Sequence, residues 1–337
     1  MQITTYTDPS CFETLQTEWE DLLSRAVTAP IFSTPQYQRV WWQHLGEGEL
    51  RVIALRRDDN RLVGLAPLYL QEHEADGRRL VFVGCVDVSD YLDVIVDRAA
   101  VTEVYQTLID YLAAQDEAAW SSGYFCSLPM ESPSRDCLPG MGQARGWEVR
   151  ETQEDICPVI TLAATWEDYL AGIKKKQRHE IRRKLRKAES EANTRWYVIE
   201  RGGADLDGAV DTFIDLHQKS SVDKEEFWDD KLKGFFRSVV HVAAEAGWLK
   251  LFFVEIDGEP ASTLLCFDYR DEFLVYNSGF DPTRFGHLSP GNIIVSYSIQ
   301  HAIELGRRRY DFLRGDEVYK LRFGGEPEPV YGLHIRR

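Results

Sequence analysis

Two β-hairpins sit about 198 residues apart, turning at Asp59-Asn60 and at Asp257-Gly258, and each is followed by a strand, a loop, a helix and another strand. The helices that follow are offset by about 190 residues and the next strands by about 187. A nearly constant offset for successive elements implies a diverged duplication, so the chain has to fold as two copies of one mixed α/β unit. Its 337 residues suffice for two cores, and 44% hydrophobic with 28% charged residues is an ordinary globular composition. The predicted layout is an N-terminal copy at 1–163, a basic helical connector at 164–193 and a C-terminal copy at 194–337. The second copy carries the sharper loops, so the chemistry is expected there.

Several classes drop out on composition. The N-terminal residues 1–8 lack the basic-then-apolar build of a signal peptide, and no apolar run approaches the roughly 20 residues of a membrane span. A cytoplasmic location is expected. Cys11, Cys85, Cys126, Cys137, Cys157 and Cys266 form no Cys-x-x-Cys pair, which argues against a zinc site or a disulfide framework and predicts reduced thiols. A net charge of −16 repels polyanions on average, so any anion site has to be a local patch. The run 174–187 is such a patch, with nine Lys or Arg, Arg182 among them, and one Glu. A charge run of this kind is usually a solvated helix face, with an anionic partner as the alternative.

Two further stretches attract attention. Tyr310-Asp311-Phe312-Leu313 reads as a strand that breaks abruptly into Arg314-Gly315-Asp316-Glu317, followed by Tyr319 and Lys320. Ser289-Pro290-Gly291-Asn292 opens a predicted helix, where backbone N–H groups and the positive helix end favour an anion. A plain cap with proline in the first turn reads equally well.

With these motifs the chain resembles the cellulose-biosynthesis-type (CelD/BcsL-like) branch of the GNAT acyltransferases. The resemblance rests on Tyr276-Asn-Ser-Gly-Phe-Asp281, Leu288-Ser-Pro-Gly-Asn292 and Arg314-Gly-Asp-Glu-Val-Tyr-Lys320. Phe32–Leu70, Ser89-Asp-Tyr-Leu-Asp93 and Leu216-His217 extend it over most of the chain. It implies an α/β (α+β) fold of two tandem GNAT-like domains, as in the Fem peptidyltransferases, each a mixed, largely antiparallel sheet flanked by helices. It further implies transfer of an acyl group from acetyl-CoA or a longer acyl-CoA to an amine of a small molecule or saccharide, without a metal. The carrier's pyrophosphate would lie at Ser289, Pro290, Gly291 and Asn292, although the Gln/Arg-x-x-Gly-x-Gly/Ala signature of CoA-binding relatives is missing. The alternatives are a Fem-like transferase using aminoacyl-tRNA, the one nucleic acid that would fit, and a non-catalytic anion- or saccharide-binding module of a polysaccharide-synthesis system.

Amine acylation needs a base to remove an ammonium proton and an acid for the leaving thiolate. Asp316 is the first candidate base, then Asp311 and His217, and Tyr319 is the candidate acid. Asp311 reads equally as a carboxylate that pairs with Arg314 or Lys320 to shape the loop. Arg314 and Lys320 suit an anionic substrate. Asp90, Tyr91 and Asp93 occupy the matching place in the first copy, on a predicted strand over 88–96, where they are expected to line a substrate groove, with half-exposed polar strand residues as the alternative.

Overall fold

The computed structural model describes residues 1–74, 77–85, 88–116, 118–203 and 205–337. Strands β1 (Gln2–Tyr6), β2 (Glu49–Arg56), β3 (Leu62–His73), β4 (Gly77–Phe82), β5 (Ile95–Val96) and β6 (Ser122–Leu128) precede β7 (Glu148–Thr161). After it come β8 (Thr194–Ile199), β9 (Leu249–Ile256), β10 (Glu259–Tyr269), β11 (Glu272–Phe280), β12 (Arg309–Asp311) and β13 (Glu326–Arg336). The helices of the first half are α1 (Cys11–Thr14), α2 (Gln16–Arg25), α3 (Pro35–Leu45), α4 (Val101–Ala113) and α5 (Pro133–Gln143). Those of the second are α6 (Trp166–Gly172), α7 (Lys175–Glu191), α8 (Leu206–Lys219), α9 (Val222–Glu226), α10 (Asp230–Glu245), α11 (Pro282–Phe285), α12 (Pro290–Glu304) and α13 (Val318–Arg322).

Two compact units result: Met1–Asp155 with Pro329–Arg337, and Ile156–Glu328. The division departs from the predicted boundaries at both ends. The C-terminal strand pairs with β6 of the first unit, from Tyr331 opposite Leu128 to Arg336 opposite Ser122. Segment 164–193 is no connector either, because α7 sinks Ile181 and Ala188 into the core of the second unit.

Strand order in the first unit is β1-β2-β3-β4-β6-β13, with β5 on β3, and in the second it is β7-β12-β11-β10-β9-β8. Each unit is antiparallel except for one parallel pair, β4 with β6 and β11 with β12. A parallel pair needs a crossover, and α4 and α12 lie in the connections. This is the mixed, largely antiparallel α/β architecture expected of each copy.

Local chemistry explains the elements that position the site. Pro35 opens α3 and the Thr34 hydroxyl accepts from the Tyr37 N–H, as cap and first-turn preferences require. In the second unit Tyr310 is fully buried, stacks on Phe273 at 5.5 Å and bonds the Ser298 hydroxyl at 2.7 Å. Strand β12 is thereby locked to both β11 and α12.

The structure corrects three expectations. The anticipated strand over 88–96 shrinks to Ile95–Val96, because buried Asp93 draws the chain into a hydroxyl network. Cys85 and Cys126 are bonded, with Cα atoms 6.1 Å apart, so two of the six cysteines are not free thiols. The helical stretch 164–193 is two helices, α6 and α7, rather than one, and a short helix, α13, follows the charged turn. No helix among the described residues is long and apolar enough to cross a membrane.

Candidate active site

Strands β11 and β12 pair only over Glu272–Leu274 and Arg309–Asp311. Beyond that point the chain after Asp311 follows β7, with the Phe312 N–H donating to the Pro158 carbonyl and the Gly315 N–H to that of Ile156. Residues 275–280 of β11 stay paired with β10. One flank of β11 therefore faces a slot, with 312–320 on its far side.

The turn that shapes this slot is held from within. Leu313 adopts φ 55°, and the Asp311 carboxylate accepts from its N–H at 2.7 Å. Asp311 is 1% exposed, so this carboxylate braces the turn. Lys320, 3% exposed, donates to the carbonyls of Leu313 (3.2 Å), Arg314 (2.6 Å) and Gly315 (3.3 Å) and pairs with Glu317 at 2.8 Å. Four acceptors exceed the three N–H groups of an ammonium. Lys320 therefore pins the loop, in place of the anion-binding role predicted for it. Gly315 has φ 119°, and a Cβ there would meet the Glu317 carboxylate at 2.4 Å, so only glycine lets this pair fold back over the turn.

The opposite wall is built on β11. His217, 3% exposed on α8, bonds Asn277 Oδ1 through Nε2 at 2.7 Å, and the Trp228 indole donates to its Nδ1 at 3.0 Å. An indole N–H can only donate, so Nδ1 is an acceptor and the ring proton sits on Nε2. Burial, then the charge of Lys224, drives the imidazole pKa down to about 3. With both nitrogens committed, His217 is a neutral strut, which corrects its candidacy as a base. A Cβ at Gly279 would lie 2.5 Å from the His217 backbone nitrogen, so the absent side chain lets α8 rest directly on β11.

Two residues reach Ser278 from different directions. The Tyr319 hydroxyl faces the Ser278 side chain, and burial, reinforced by the Glu317 charge, holds the phenol far above its ordinary range. Lys224, on α9, donates to the Ser278 carbonyl at 2.5 Å. Burial lowers its pKa to about 8, with Glu317 opposing and Lys320 adding to the shift. Asp316 is exposed, Arg314 is half-buried, and Glu317 lies between Lys320, Tyr319 and Lys224. Lys224, Trp228, Asn277, Ser278 and Glu317 escaped sequence reasoning, since nothing in a five-residue helix or a strand interior announces a meeting 50 residues away.

Helix α12 begins at Ser289 in a left-handed conformation, φ 59°. The Ser289 N–H bonds the Gly286 carbonyl, that of Asn292 bonds the Ser289 carbonyl, and Pro290 has none. Of residues 289–292, Gly291 alone keeps a backbone N–H for a ligand. On α7, Arg182 pairs with Glu167, and Arg183 and Lys184 with Glu180. Trp166, His179, Arg182, Arg186 and Tyr297 line an open groove of about 600 Å³ between α7 and α12.

The other predicted residues lie in the first unit. Asp93, 1% exposed, accepts from Thr28 (3.0 Å), Ser134 (2.5 Å) and the Val94 N–H (2.8 Å), and burial raises its pKa to about 6. Its expected place in a substrate groove is corrected to that of a buried hub. Asp90 and Tyr91 are half-buried beside it in sequence.

Comparison with known proteins extends this picture. Residues 175–321 match the acetyltransferase (GNAT) domain family. No curated protein matches the sequence. Among solved structures, FemX superposes with a TM-score of 0.70 at 12% identity, covering 99% of this chain and 97% of its own. L-PGS from Bacillus licheniformis gives 0.58 at 11% identity, covering 94% and 90%. A tandem GNAT protein from the clavulanic acid biosynthesis pathway gives 0.51 at 12% identity, covering 99% and 98%. The chain thus carries a GNAT acetyltransferase domain over 175–321, set in a fold of two tandem GNAT-like units.

Proposed function

We propose that the protein is an N-acyltransferase that moves an acyl group from a thioester carrier to an amine by direct attack, in the slot between β11 and 312–320. The observation that carries this reading is the parting of β11 from β12 beyond Leu274 and Asp311, inside the matched acetyltransferase domain. An extended carrier arm can pair with the free flank of β11, placing its thioester near Ser278. Tyr319, protonated at every physiological pH, is suited to give its proton to the leaving thiolate. Glu317 is the carboxylate best set to take the proton from the incoming ammonium. Asp316, the first candidate from sequence, is exposed like Glu317 but lacks that residue's electrostatic contact with Tyr319 and Lys224, and is the second choice.

The donor we favour is acetyl-CoA or a longer acyl-CoA, with the phosphates at Ser289–Asn292 and the lysines of α7 nearby. Lys187 already reaches the His287 carbonyl beside that helix end at 3.0 Å. The run Arg314–Lys320 supports placement in the cellulose-biosynthesis-type branch. A second reading, an aminoacyl-tRNA donor, is favoured by the single free N–H at α12 and by Lys174, Lys175 and Lys176, exposed at the start of α7 with no acidic residue in its first turn.

Calorimetry with acetyl-CoA and with charged tRNA separates the two. Saturable acetyl-CoA binding, and thiol release on adding amines that drops at least 100-fold in Tyr319→Phe, is the expected result. Salt-sensitive tRNA binding without acetyl-CoA binding would select the second reading.

A further inference from the structure

Two lysines face the same slot and differ in how their N–H groups are used. Lys320 is saturated by three carbonyls and Glu317. Lys224 has one acceptor, the Ser278 carbonyl, so two of its three N–H groups have no hydrogen-bond partner among the described residues. Removal of an ammonium from water is costly unless its donors are met, and burial is the first cause of its lowered pKa. The groups around it do not neutralise it. His217 on α8 is held neutral, Tyr319 on α13 is a phenol, and Glu317 is shared with Lys320.

We propose that Lys224 is an anion subsite which receives the carboxylate of the acceptor, so that the acceptor is a carboxylate-bearing amine such as an amino acid or the end of a peptide. This deepens the acyl-transfer reading and rests on it. A singly charged planar carboxylate matches two open N–H groups of one ammonium. A phosphate dianion would need more positive charge and would sit against the Glu317 carboxylate. The geometry also orients the acceptor. With its carboxylate on Lys224, its amine can lie toward Glu317, next to the thioester carbon near Ser278. Glu317 first takes one proton from the ammonium, the neutral nitrogen then bonds to that carbon as the carbon–sulfur bond breaks, Tyr319 protonates the departing thiolate, and the second amine proton returns to the Tyr319 phenolate, so the net products are amide, thiol and one proton on Glu317.

The test uses N-acetylglycine, its uncharged analogue N-acetylglycinamide and inorganic phosphate, titrated into the whole protein by NMR. At pH 7 the carboxylate is expected to bind at least about tenfold more tightly than the amide. The ratio should fall toward one in Lys224→Met, persist in Lys224→Arg, and decline in the wild type as pH rises from 7 to 10 through the Lys224 pKa. The wild-type titration decides the matter even where a variant fails to fold. Equal binding of acid and amide, no binding of the acid, a ratio untouched by Lys224→Met, or tighter binding of phosphate would each overturn the proposal. A carboxylate preference without turnover of acetyl-CoA would remove the CoA donor and leave the subsite standing.

Discussion

The two units hold the same parallel strand pair and treat the space beyond it in opposite ways. In the first unit β4 and β6 pair through Val81 and Tyr124, after which Phe82 packs on Phe125 at 4.8 Å and Cys85 bonds Cys126. Segment 88–92 then covers the opening, with the Leu92 N–H on the Ser127 carbonyl (2.8 Å) and the Ser127 hydroxyl on that of Ser89 (3.0 Å). In the second unit the equivalent place leaves one flank of β11 unpaired with β12 beyond Leu274 and lines it with Lys224, Tyr319 and the His217–Asn277 pair. One copy spends its polar groups on itself, and the other leaves some unspent. The lesson is that duplication supplied two potential sites and packing closed one of them.

That contrast can be broken experimentally. The largest effect is expected from Lys320→Met, which strands three carbonyls in the second unit. Urea unfolding should show a loss of about 3–5 kcal/mol, and a value near zero would mean the loop holds without its pin. Cys126→Ala should cost about 2–4 kcal/mol in the first unit and leave ligand binding at the Ser278 slot unchanged, read by calorimetry on the same protein. A change in slot binding would show that the two places are not independent.

The third test turns on pH, where the two units should move in opposite directions. Asp93 has a raised pKa, so its contribution is full below the unfolded value near 4 and is lost as pH rises through about 6. Asp93→Asn should therefore raise the melting stability at pH 7.5 by about 2–3 kcal/mol and lose that advantage by pH 4. His217 has a lowered pKa, so its contribution is full above the unfolded value near 6.5 and falls as pH drops toward about 3. His217→Gln should flatten the stability of the second unit between pH 6.5 and 5, a span worth about 2 kcal/mol. The smallest effect is expected from Gly279→Ala, about 1–3 kcal/mol, because α8 has to retreat from β11. Its signature is a rise in the His217 pKa by NMR, as the loosened helix admits water to the ring.

The readable part of this molecule was local. Hairpin turns, the Thr34–Pro35 helix start and the break at Arg314–Gly315 each follow from residues a few positions apart, and the structure has them where chemistry placed them. The hidden part was the set of partners. Lys320 reads as a free cation in sequence, yet its ammonium is buried under its own loop. His217 reads as a possible base, yet Trp228, 11 residues on, and Asn277, 60 residues on, claim its two nitrogens. The C-terminal strand reads as part of the second copy because it follows it in the chain, but hydrogen bonding to β6 takes it to the first.

The sequence by itself determined that there would be two mixed α/β copies, each with a hairpin, a strand, a helix and a further strand in that order, and a charged glycine turn at the end of the strand that became β12. Period, caps and turn residues act over short range, so they survive in a linear reading. Only the tertiary structure decided which copy keeps an open slot and which lysine keeps its N–H groups unspent. Burial and hydrogen-bond saturation are set by neighbours from distant segments, and they exist only once those segments have packed.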